Sequence, residues 1–380
     1  MAALMAETFA GMGLRVQWQQ VEDGRANVLG IREGAGGGPS LMFNGHMDTS
    51  YSGQEPWLHH VPGFQPSAFV EEGRLYGLGI SNMKGALACY VEALRALDDA
   101  GIRLRGDVLV AAVAGEIEKA QWGDAEGAEF RGYAAGTRHL VSHGGVADMC
   151  ILGEPTESKL VLGHFGSLWL RIGVQGNFIH TAFSEGTRDR NSILRMREVL
   201  DAVLAWIPNW EDDPENSFRG ARAIVNVSAI EGGFGWRVSR TPHRTDLFLD
   251  VRVPPTKEMA TARAQVLELA RELAARFPDY GIDGEVYVTA PGSEIAEDHP
   301  LVAALERCHA EVFGAPPERD VTRWFSDASV LTRYGVPTVN YGTSTGLLDT
   351  VKGENLEIEG LAKTADVYAR AAVEICGVAK

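Results

Sequence analysis

The chain has 380 residues, of which 45% are hydrophobic and 23% charged, and this length and composition predict a globular protein of two or three domains. Its formal net charge of −16 argues against binding to a nucleic-acid backbone, which requires clustered Lys and Arg. No apolar run approaches the roughly 18 residues of a membrane span, and the first residues lack the pattern of a signal peptide.

The cysteines are scattered along the chain without the CxxC spacing of a zinc or redox motif: Cys89, Cys150, Cys308 and Cys376. Such spacing indicates buried thiols in a reducing compartment rather than a disulfide framework. We therefore predict a cytoplasmic protein.

The first part of the chain alternates short apolar runs with helical patterns. The apolar runs lie at 41–44, 108–114 and 149–152, and the segment 83–100 has a helical pattern. This alternation predicts an α/β fold with a mostly parallel sheet.

A different pattern follows, with strand-like alternation at 167–176, 221–233 and 245–255 and a long helical pattern at 257–277. Such a run suits a small α+β domain with a half-solvated antiparallel sheet. The first pattern then returns, with a helix and a buried strand at 300–313 and 335–342. The sequence therefore predicts a discontinuous α/β catalytic domain at 1–167 and 291–380, interrupted by an inserted domain at 168–290.

The stretch "LMFNGHMDTS" places His46 and Asp48 two residues apart at the end of an apolar run. A metal-binding histidine has its second ring nitrogen held by another group, usually a carboxylate, which fixes the tautomer and raises ligand basicity. Asp48 could hold His46 in this way. Alone, the motif also fits a polar loop that closes a strand.

Further polar segments follow predicted strands: "GLGISNMKGA" (77–86), "VAGEIEK" (113–119), "ILGEPTE" (151–157) and "YGTSTGLLDTVKGENLEI" (341–358). Open α/β sheets bind ligands at the carboxyl ends of their strands. These segments and the His46 motif are therefore expected to share one site.

In this order, "GHMDT", "MKGA" and "LGEPTE" resemble the M20 metallopeptidase family, which includes aminoacylases, acetylornithine and succinyl-diaminopimelate deacylases and glutamate carboxypeptidases. The resemblance covers nearly the whole chain. It implies that the inserted domain is a lid and dimerisation domain. It also implies a catalytic site with two metal ions, bridged by an aspartate and a water, and a glutamate as general base.

Carried over residue by residue, the resemblance makes His46 and Glu154 ligands of one metal ion and Asp48 the group that orients His46. It makes Glu116 the general base. The alternative for Glu116 is a carboxylate that only caps or pairs at a strand end.

Three positions depart from the family pattern, because the bridging aspartate falls on Asn82, a second acidic ligand on Ile117 and a late histidine ligand on Asp349. Two divalent ions about 3.5 Å apart repel by on the order of 20 kcal/mol at an effective dielectric of 20, and anionic ligands normally offset this. The departures therefore predict one metal ion per chain.

The predicted ligands of that ion are His46 and Glu154, with Asn82 as a weak oxygen ligand and Asp349 as a possible fourth. Mixed imidazole and oxygen donors suit Zn²⁺ or Mn²⁺. Glu118 is a candidate substitute for the missing acidic ligand.

In the inserted domain, "GNFIHTAF" resembles the family segment whose histidine crosses a dimer interface to hold the reacting oxygen, which implies a homodimer and assigns that role to His180. A histidine satisfied at a strand end is the alternative. Asn191 and Arg252 match substrate contacts of the family, and the planar fork of an arginine suits a substrate carboxylate. Trp236, Trp324 and Phe325 hint at a more aromatic substrate.

The sequence thus predicts a metal-dependent hydrolase that cleaves a C–N bond in a small carboxylate-bearing molecule, an N-acyl amino acid or a short peptide. One metal-activated water would attack, with Glu116 as base. Two alternatives remain open: an aminohydrolase of the nitroanthranilate type that releases ammonia from an aromatic amine, and a metal-free relative that binds a ligand without turnover.

Overall fold

The chain divides into two units, and the computed structural model describes residues 1–343 and 351–380. The predicted insertion at 168–290 differs from the observed division by a few residues at each end, and the short segment that joins the second unit late in the chain was not predicted. The first unit comprises Met1–Gly163, Glu294–Asp320 and Ser326–Lys380, and the second His164–Ser293 and Val321–Phe325.

The strands of the described residues are β1 Arg15–Glu22, β2 Arg25–Arg32, β3 Leu41–His46, β4 Phe69–Glu71, β5 Arg74–Tyr76, β6 Val108–Val113, β7 Met149–Leu152, β8 Leu160–His164, β9 Gly166–Gln175, β10 Ser217–Phe218, β11 Ala221–Arg222, β12 Val225–Gly232, β13 Arg244–Val253, β14 Asp283–Ala290, β15 Ser293–Glu294, β16 Arg319–Thr322, β17 Thr338–Asn340 and β18 Asn355–Glu357. The α-helices are α1 Ala2–Gly11, α2 Gly85–Asp99, α3 Ala135–Ser142, α4 Ser192–Glu211, α5 Met259–Arg276, α6 Pro300–Phe313, α7 Ala328–Arg333 and α8 Ile358–Cys376.

The main sheet of the first unit runs in the order β1-β2-β6-β3-β7-β17-β8. Its central pairs β6–β3, β3–β7 and β7–β17 are parallel. The pairs β1–β2, β2–β6 and β17–β8 are antiparallel. The predicted α/β class is confirmed, but parallel pairing is confined to the centre, because β1 and β2 form a tight hairpin through the turn at Gly24. The parallel centre aligns the carboxyl ends of β3, β6 and β7.

The core of the first unit forms where α2, α6 and α8 pack beside this sheet. Phe43 on β3 stacks on Tyr90 of α2 with ring centroids 4.9 Å apart. Gly45, two residues on, leaves room for the side chain of Met83, which would lie 2.8 Å from a Cβ at this position. The end of β3 therefore packs closely against the segment that leads into α2.

The second unit contains an antiparallel sheet in the order β12-β13-β9-β14. Alternate residues of β9, Leu168, Leu170, Ile172 and Val174, are fully buried in a core shared with α4 and α5. This is the small α+β arrangement that the sequence predicts for the insertion. The strand β12 lies at the edge of the sheet and is largely exposed.

Two composition-based predictions can be compared with the described residues. All four cysteines are buried free thiols, as predicted. Among residues 1–343 and 351–380, no helix is both long and apolar enough to span a membrane.

Candidate metal and catalytic site

Three side chains meet at the carboxyl ends of the central parallel strands. His46 ends β3, Glu116 follows β6, and Glu154 follows β7. All three are buried, and their ligand atoms lie within 4.8 Å of one another. The aligned strand ends therefore bring together one imidazole and two carboxylates from separate parts of the chain.

The two nitrogens of His46 have different partners. Nδ1 lies 2.9 Å from the backbone carbonyl oxygen of Asp48. A carbonyl oxygen only accepts hydrogen bonds, so Nδ1 carries the proton of the neutral ring and Nε2 presents its lone pair. Nε2 lies 2.8 Å from Oδ1 of Asn82 and 3.7 Å from Oε2 of Glu116.

The carboxylate of Asp48 does not orient His46 as predicted, because its Oδ1 lies 3.7 Å from Nδ1, beyond hydrogen-bond distance. It accepts instead the backbone N–H groups of Gly115 at 2.8 Å and of Glu116 and Ile117 at 3.2 Å. The loop after β6 presents these groups together because Gly115 has a positive φ of 75°. Asp48 thus orients His46 through its carbonyl and fixes the Glu116 loop through its carboxylate.

The site brings several acidic groups close together, which disfavours the ionisation of each of them. Burial, followed by repulsion from Glu154 and Asp327, raises the pKa of Glu116 well above its ordinary value. Burial also raises the pKa of Glu154 to about 7, although the attraction of His46 lowers it. Burial lowers the pKa of His46, but the charges of Glu154, Asp48 and Asp327 and the hydrogen bond with Asn82 raise it, and the net shift is upward. A cation would stabilise this group of residues.

The acceptor atoms of the site fit a bound metal ion. Oε1 of Glu154 is buried and has no hydrogen-bond partner among the described residues. Leaving a buried acceptor unpaired costs about 1–3 kcal/mol, and more for a charged group. The lone pair of His46 Nε2 and Oδ1 of Asn82 converge on the same space. One imidazole nitrogen with amide and carboxylate oxygens is a donor set suited to Zn²⁺ or Mn²⁺.

Other predicted ligands do not join this cluster. Ile117, at the position of an acidic ligand in the family, is a buried apolar side chain. Glu118 is not among the grouped ligands of the described residues. Asp349 lies outside the described residues. The described part of the chain therefore offers ligands for one ion around His46.

Sequence reasoning missed Asp327, a fully buried carboxylate that precedes α7. Its Oδ2 accepts a 2.8 Å hydrogen bond from the hydroxyl of Thr137. Burial raises its pKa to about 6, and its charge raises the pKa values of His46 and Glu116. The available signal was an aspartate in the otherwise uncharged stretch "WFSDASVL". The sequence prediction used only the aromatic residues of this stretch.

Those aromatic residues are engaged in packing within the second unit. Phe325 contacts the ring of His164 edge-on at 5.6 Å, and Trp324 lies parallel to it at 6.4 Å. Trp236 is 79% exposed and contacts Phe234. Packing thus accounts for Trp324 and Phe325 without an aromatic substrate.

The remaining predicted site residues also belong to the second unit. The N–H of Ala182 donates to Nδ1 of His180 at 3.1 Å, so a neutral His180 carries its proton on Nε2 and can donate it in a hydrogen bond. Oδ1 of Asn191 accepts from the N–H of Ile193 at 3.0 Å and caps α4.

The third of these residues, Arg252, lies on β13 and pairs with Asp250 at 2.7 Å. A substrate carboxylate would have to compete with this aspartate for the guanidinium. The structure therefore gives Arg252 a local structural partner that the sequence did not predict.

Comparisons with known proteins give matches that span most of the chain. Residues 42–374 match the model of the family described as Peptidase family M20/M25/M40. The chain is 28% identical over 378 residues to a succinyl-diaminopimelate desuccinylase of Alkalilimnicola ehrlichii, covering 96% of this chain and 91% of that protein. It is 27% identical over 315 residues to an acetylornithine deacetylase of Yersinia pseudotuberculosis, covering 81% and 75%. The crystal structure of aminopeptidase PepT from Bacillus cereus superposes with a TM-score of 0.74 at 20% identity, covering 98% of this chain and 92% of the other.

Proposed function

This chain belongs to peptidase family M20/M25/M40 and is a hydrolase of carbon–nitrogen bonds, and we propose that it removes the acyl group from an N-acyl amino acid or cleaves a short peptide with a single metal ion. The observation that carries the proposal is the convergence of His46 Nε2, Asn82 Oδ1 and Glu154 at one buried point. The activities named for the relatives support the substrate class.

The metal ion, Mn²⁺ or Zn²⁺, would be held by His46, Glu154 and, more weakly, Asn82, with Asp349 as a possible fourth ligand. When bound, such an ion supplies Lewis acidity toward the substrate carbonyl and toward water. The neutral Asn82 and the apolar Ile117 support one ion rather than two, because they remove anionic charge that a second ion would require.

Glu116 acts as the general base in this proposal. Its buried carboxylate lies 3.7 Å from His46 Nε2, and as the base it would take up a proton from the attacking water. The same group would then donate that proton to the leaving nitrogen. Asp48 keeps Glu116 in place by accepting the backbone N–H groups of its loop.

We further propose that the protein is a homodimer through the second unit and that His180 of each chain serves the site of the other. The edge strand β12 supports this, since unpaired strand edges are natural places for a second copy to pair. Ile230 on this strand is 54% exposed, and Trp236 and Val238 in the segment that follows it are 79% and 82% exposed.

Within this arrangement, Nε2–H of His180 would donate to the developing oxyanion, since such donors are typically worth about 2.7–4 kcal/mol. Asn191 and Arg252 would contact the substrate. The buried free thiols support a reducing, cytoplasmic location.

A substrate panel tests the proposed function directly. Purified protein would be incubated with N-acyl amino acids, dipeptides and amino-aromatic acids, before and after chelation and with Mn²⁺ or Zn²⁺ restored. The proposal expects amine release from an acylated or peptide substrate that stops on chelation and returns with metal. Ammonia release from the aromatic amines alone, or turnover that survives complete metal removal, would contradict it.

A further inference from the structure

Glu354 is a buried carboxylate of the first unit that belongs to neither the proposed ligands nor the proposed base. It lies just before β18 and is 5% exposed. Its Oε2 accepts the backbone N–H of Ser81 at 3.2 Å. Burial raises the pKa of its carboxyl, and the backbone N–H groups of Gly79, Ser81 and Asn82 act in the opposite direction. One side chain therefore interacts with three backbone N–H groups of a single turn.

That turn carries Asn82, whose Oδ1 lies 2.8 Å from His46 Nε2. Gly79 begins the turn with a φ of +73°, and a Cβ at this position would lie 2.3 Å from Thr49. Only glycine fits both the dihedral angle and the space. The backbone of the turn is thus shaped so that its N–H groups point toward Glu354.

Two further hydrogen bonds fasten the same turn to the chain around Glu354. The hydroxyl of Ser81 donates to the carbonyl oxygen of Asn355 at 2.9 Å. The N–H of Gly77 donates to the carbonyl oxygen of Glu354 at 3.3 Å. The carboxylate interacts with several N–H groups of the turn at once, so its loss would free the turn.

The positive charge of Lys84 also favours a carboxylate at the position of Glu354. Lys84 follows the turn, and its ammonium group donates to the carbonyl oxygen of Leu78 at 3.0 Å. Its positive charge interacts with both Glu354 and Asp48. The hydrogen bonds and this cation offset part of the cost of burying Glu354, and burial still raises the pKa of its carboxyl.

We propose that Glu354 is a positioning residue for the metal ion: it fixes the turn Gly79–Asn82 so that the amide oxygen of Asn82 points at the space that His46 Nε2 faces. The inference rests on the proposed function, because it takes Asn82 as a ligand. It assigns Glu354 a role through Asn82 and not through contact with the ion or the substrate. Outer groups of this kind typically contribute about 10–100-fold in metal affinity.

The test is a double-mutant cycle read out as the dissociation constant for Mn²⁺, measured by calorimetry on the full chain. Glu354→Gln should weaken Mn²⁺ binding by about 10–100-fold, because the amide keeps the shape but loses the charge that holds three donors. In a background of Asn82→Ala, adding Glu354→Gln should change the affinity by less than about threefold, since independent effects add and coupled ones do not.

Glu357→Gln is the matched control, because Glu357 lies three residues on, pairs with Arg74 at 2.7 Å and is exposed. It should leave Mn²⁺ affinity unchanged. If Glu354→Gln does not fold, Glu354→Asp replaces it; the shortened side chain should weaken Mn²⁺ binding to a smaller degree, and an unchanged affinity would overturn the inference.

The outcomes separate the inference from the proposed function. Unchanged Mn²⁺ affinity in Glu354→Gln overturns the positioning role while the metal site stands. The same conclusion follows if Glu354→Gln weakens Mn²⁺ binding as much in the Asn82→Ala background as in the unmodified protein. Absence of Mn²⁺ binding to the unmodified chain, or binding that survives His46→Ala, overturns the metal site and the positioning role together.

Discussion

Nε2 of His46 and Oδ1 of Asn82 face each other at 2.8 Å, although both atoms are acceptors when Nδ1 of His46 donates to the carbonyl of Asp48. Two lone pairs at this distance repel unless a cation or a proton lies between or beside them. The buried carboxyl groups of Glu116 and Glu154 lie at the same place, and a cation there would favour their ionised forms. This relationship is the basis of the single-metal account.

The neutral amide at position 82 leads to a first prediction. Asn82→Asp should tighten Mn²⁺ binding by roughly tenfold or more, because affinity rises with ligand charge. The stoichiometry should remain one ion per chain, because Ile117 still offers no ligand to a second ion. Calorimetric titration combined with elemental analysis checks both parts, and two bound ions in this variant would show that the amide alone excludes the second.

Glu116 supplies a second prediction. Glu116→Gln should lower kcat by about 10²–10⁴-fold, because the amide keeps the shape of the side chain and cannot accept the proton. Metal and substrate affinity should stay nearly unchanged. Glu118→Gln, two residues away and outside the ligand cluster of the described residues, is the matched control and should retain activity. Near-normal turnover in Glu116→Gln would show that Glu116 is not the general base.

The buried His164 is expected to make the free energy of unfolding depend on pH. Burial and the nearby Arg252 lower its pKa to about 4, from an ordinary value of 6.5. The unfolded chain therefore binds this proton at higher pH than the folded chain. The stabilisation is complete above pH 6.5 and is lost as the pH falls toward 4, by up to about 3 kcal/mol.

His164→Gln keeps a donor for the carbonyl oxygen of Phe165, which Nδ1 of His164 contacts at 2.8 Å, and removes the titrating ring. The melting temperature of the variant should fall less between pH 7 and pH 4.5 than that of the unmodified protein. Parallel curves for the two proteins would show that His164 does not control this part of the acid sensitivity.

The proposed sharing of sites in a dimer can be tested by mixing two inactive variants. A dimer of one His180→Ala chain and one Glu116→Gln chain contains one complete site if His180 acts on the partner's site. Free exchange should then restore about a quarter of the activity, since half of the dimers are mixed and each has one working site. No recovery after verified exchange would refute the shared site.

Much of the fold could be predicted because hydrophobic periodicity reports local structure directly. The runs around 41–44, 108–114 and 149–152 became the parallel strands β3, β6 and β7, and polar residues at their ends converged on one site. Pattern alone could not show that the outer pairs of the sheet are antiparallel, because burial on both faces looks the same for either direction.

Sequence reasoning missed two kinds of contact. Some join residues that are far apart in the chain, and others depend on which atom of a residue makes the contact. Glu354 meets Ser81 across 273 residues, and Asp327 meets Thr137 across 190. The carboxylate of Asp48 was predicted to hold His46, but the backbone carbonyl oxygen of Asp48 makes this contact and the carboxylate accepts N–H groups of the Glu116 loop. No residue pattern distinguishes these two oxygens.

Metal content is the most direct measurement of the central claim that His46 and Glu154 hold one ion. Elemental analysis of the gently purified protein, of His46→Ala and of Glu154→Gln would be compared with His139→Ala, an imidazole outside the cluster. The account predicts about one Mn²⁺ or Zn²⁺ per chain in the unmodified protein and in His139→Ala, and loss of the ion in the other two variants. Two tightly held ions per chain, or one ion retained without His46 and Glu154, would contradict it.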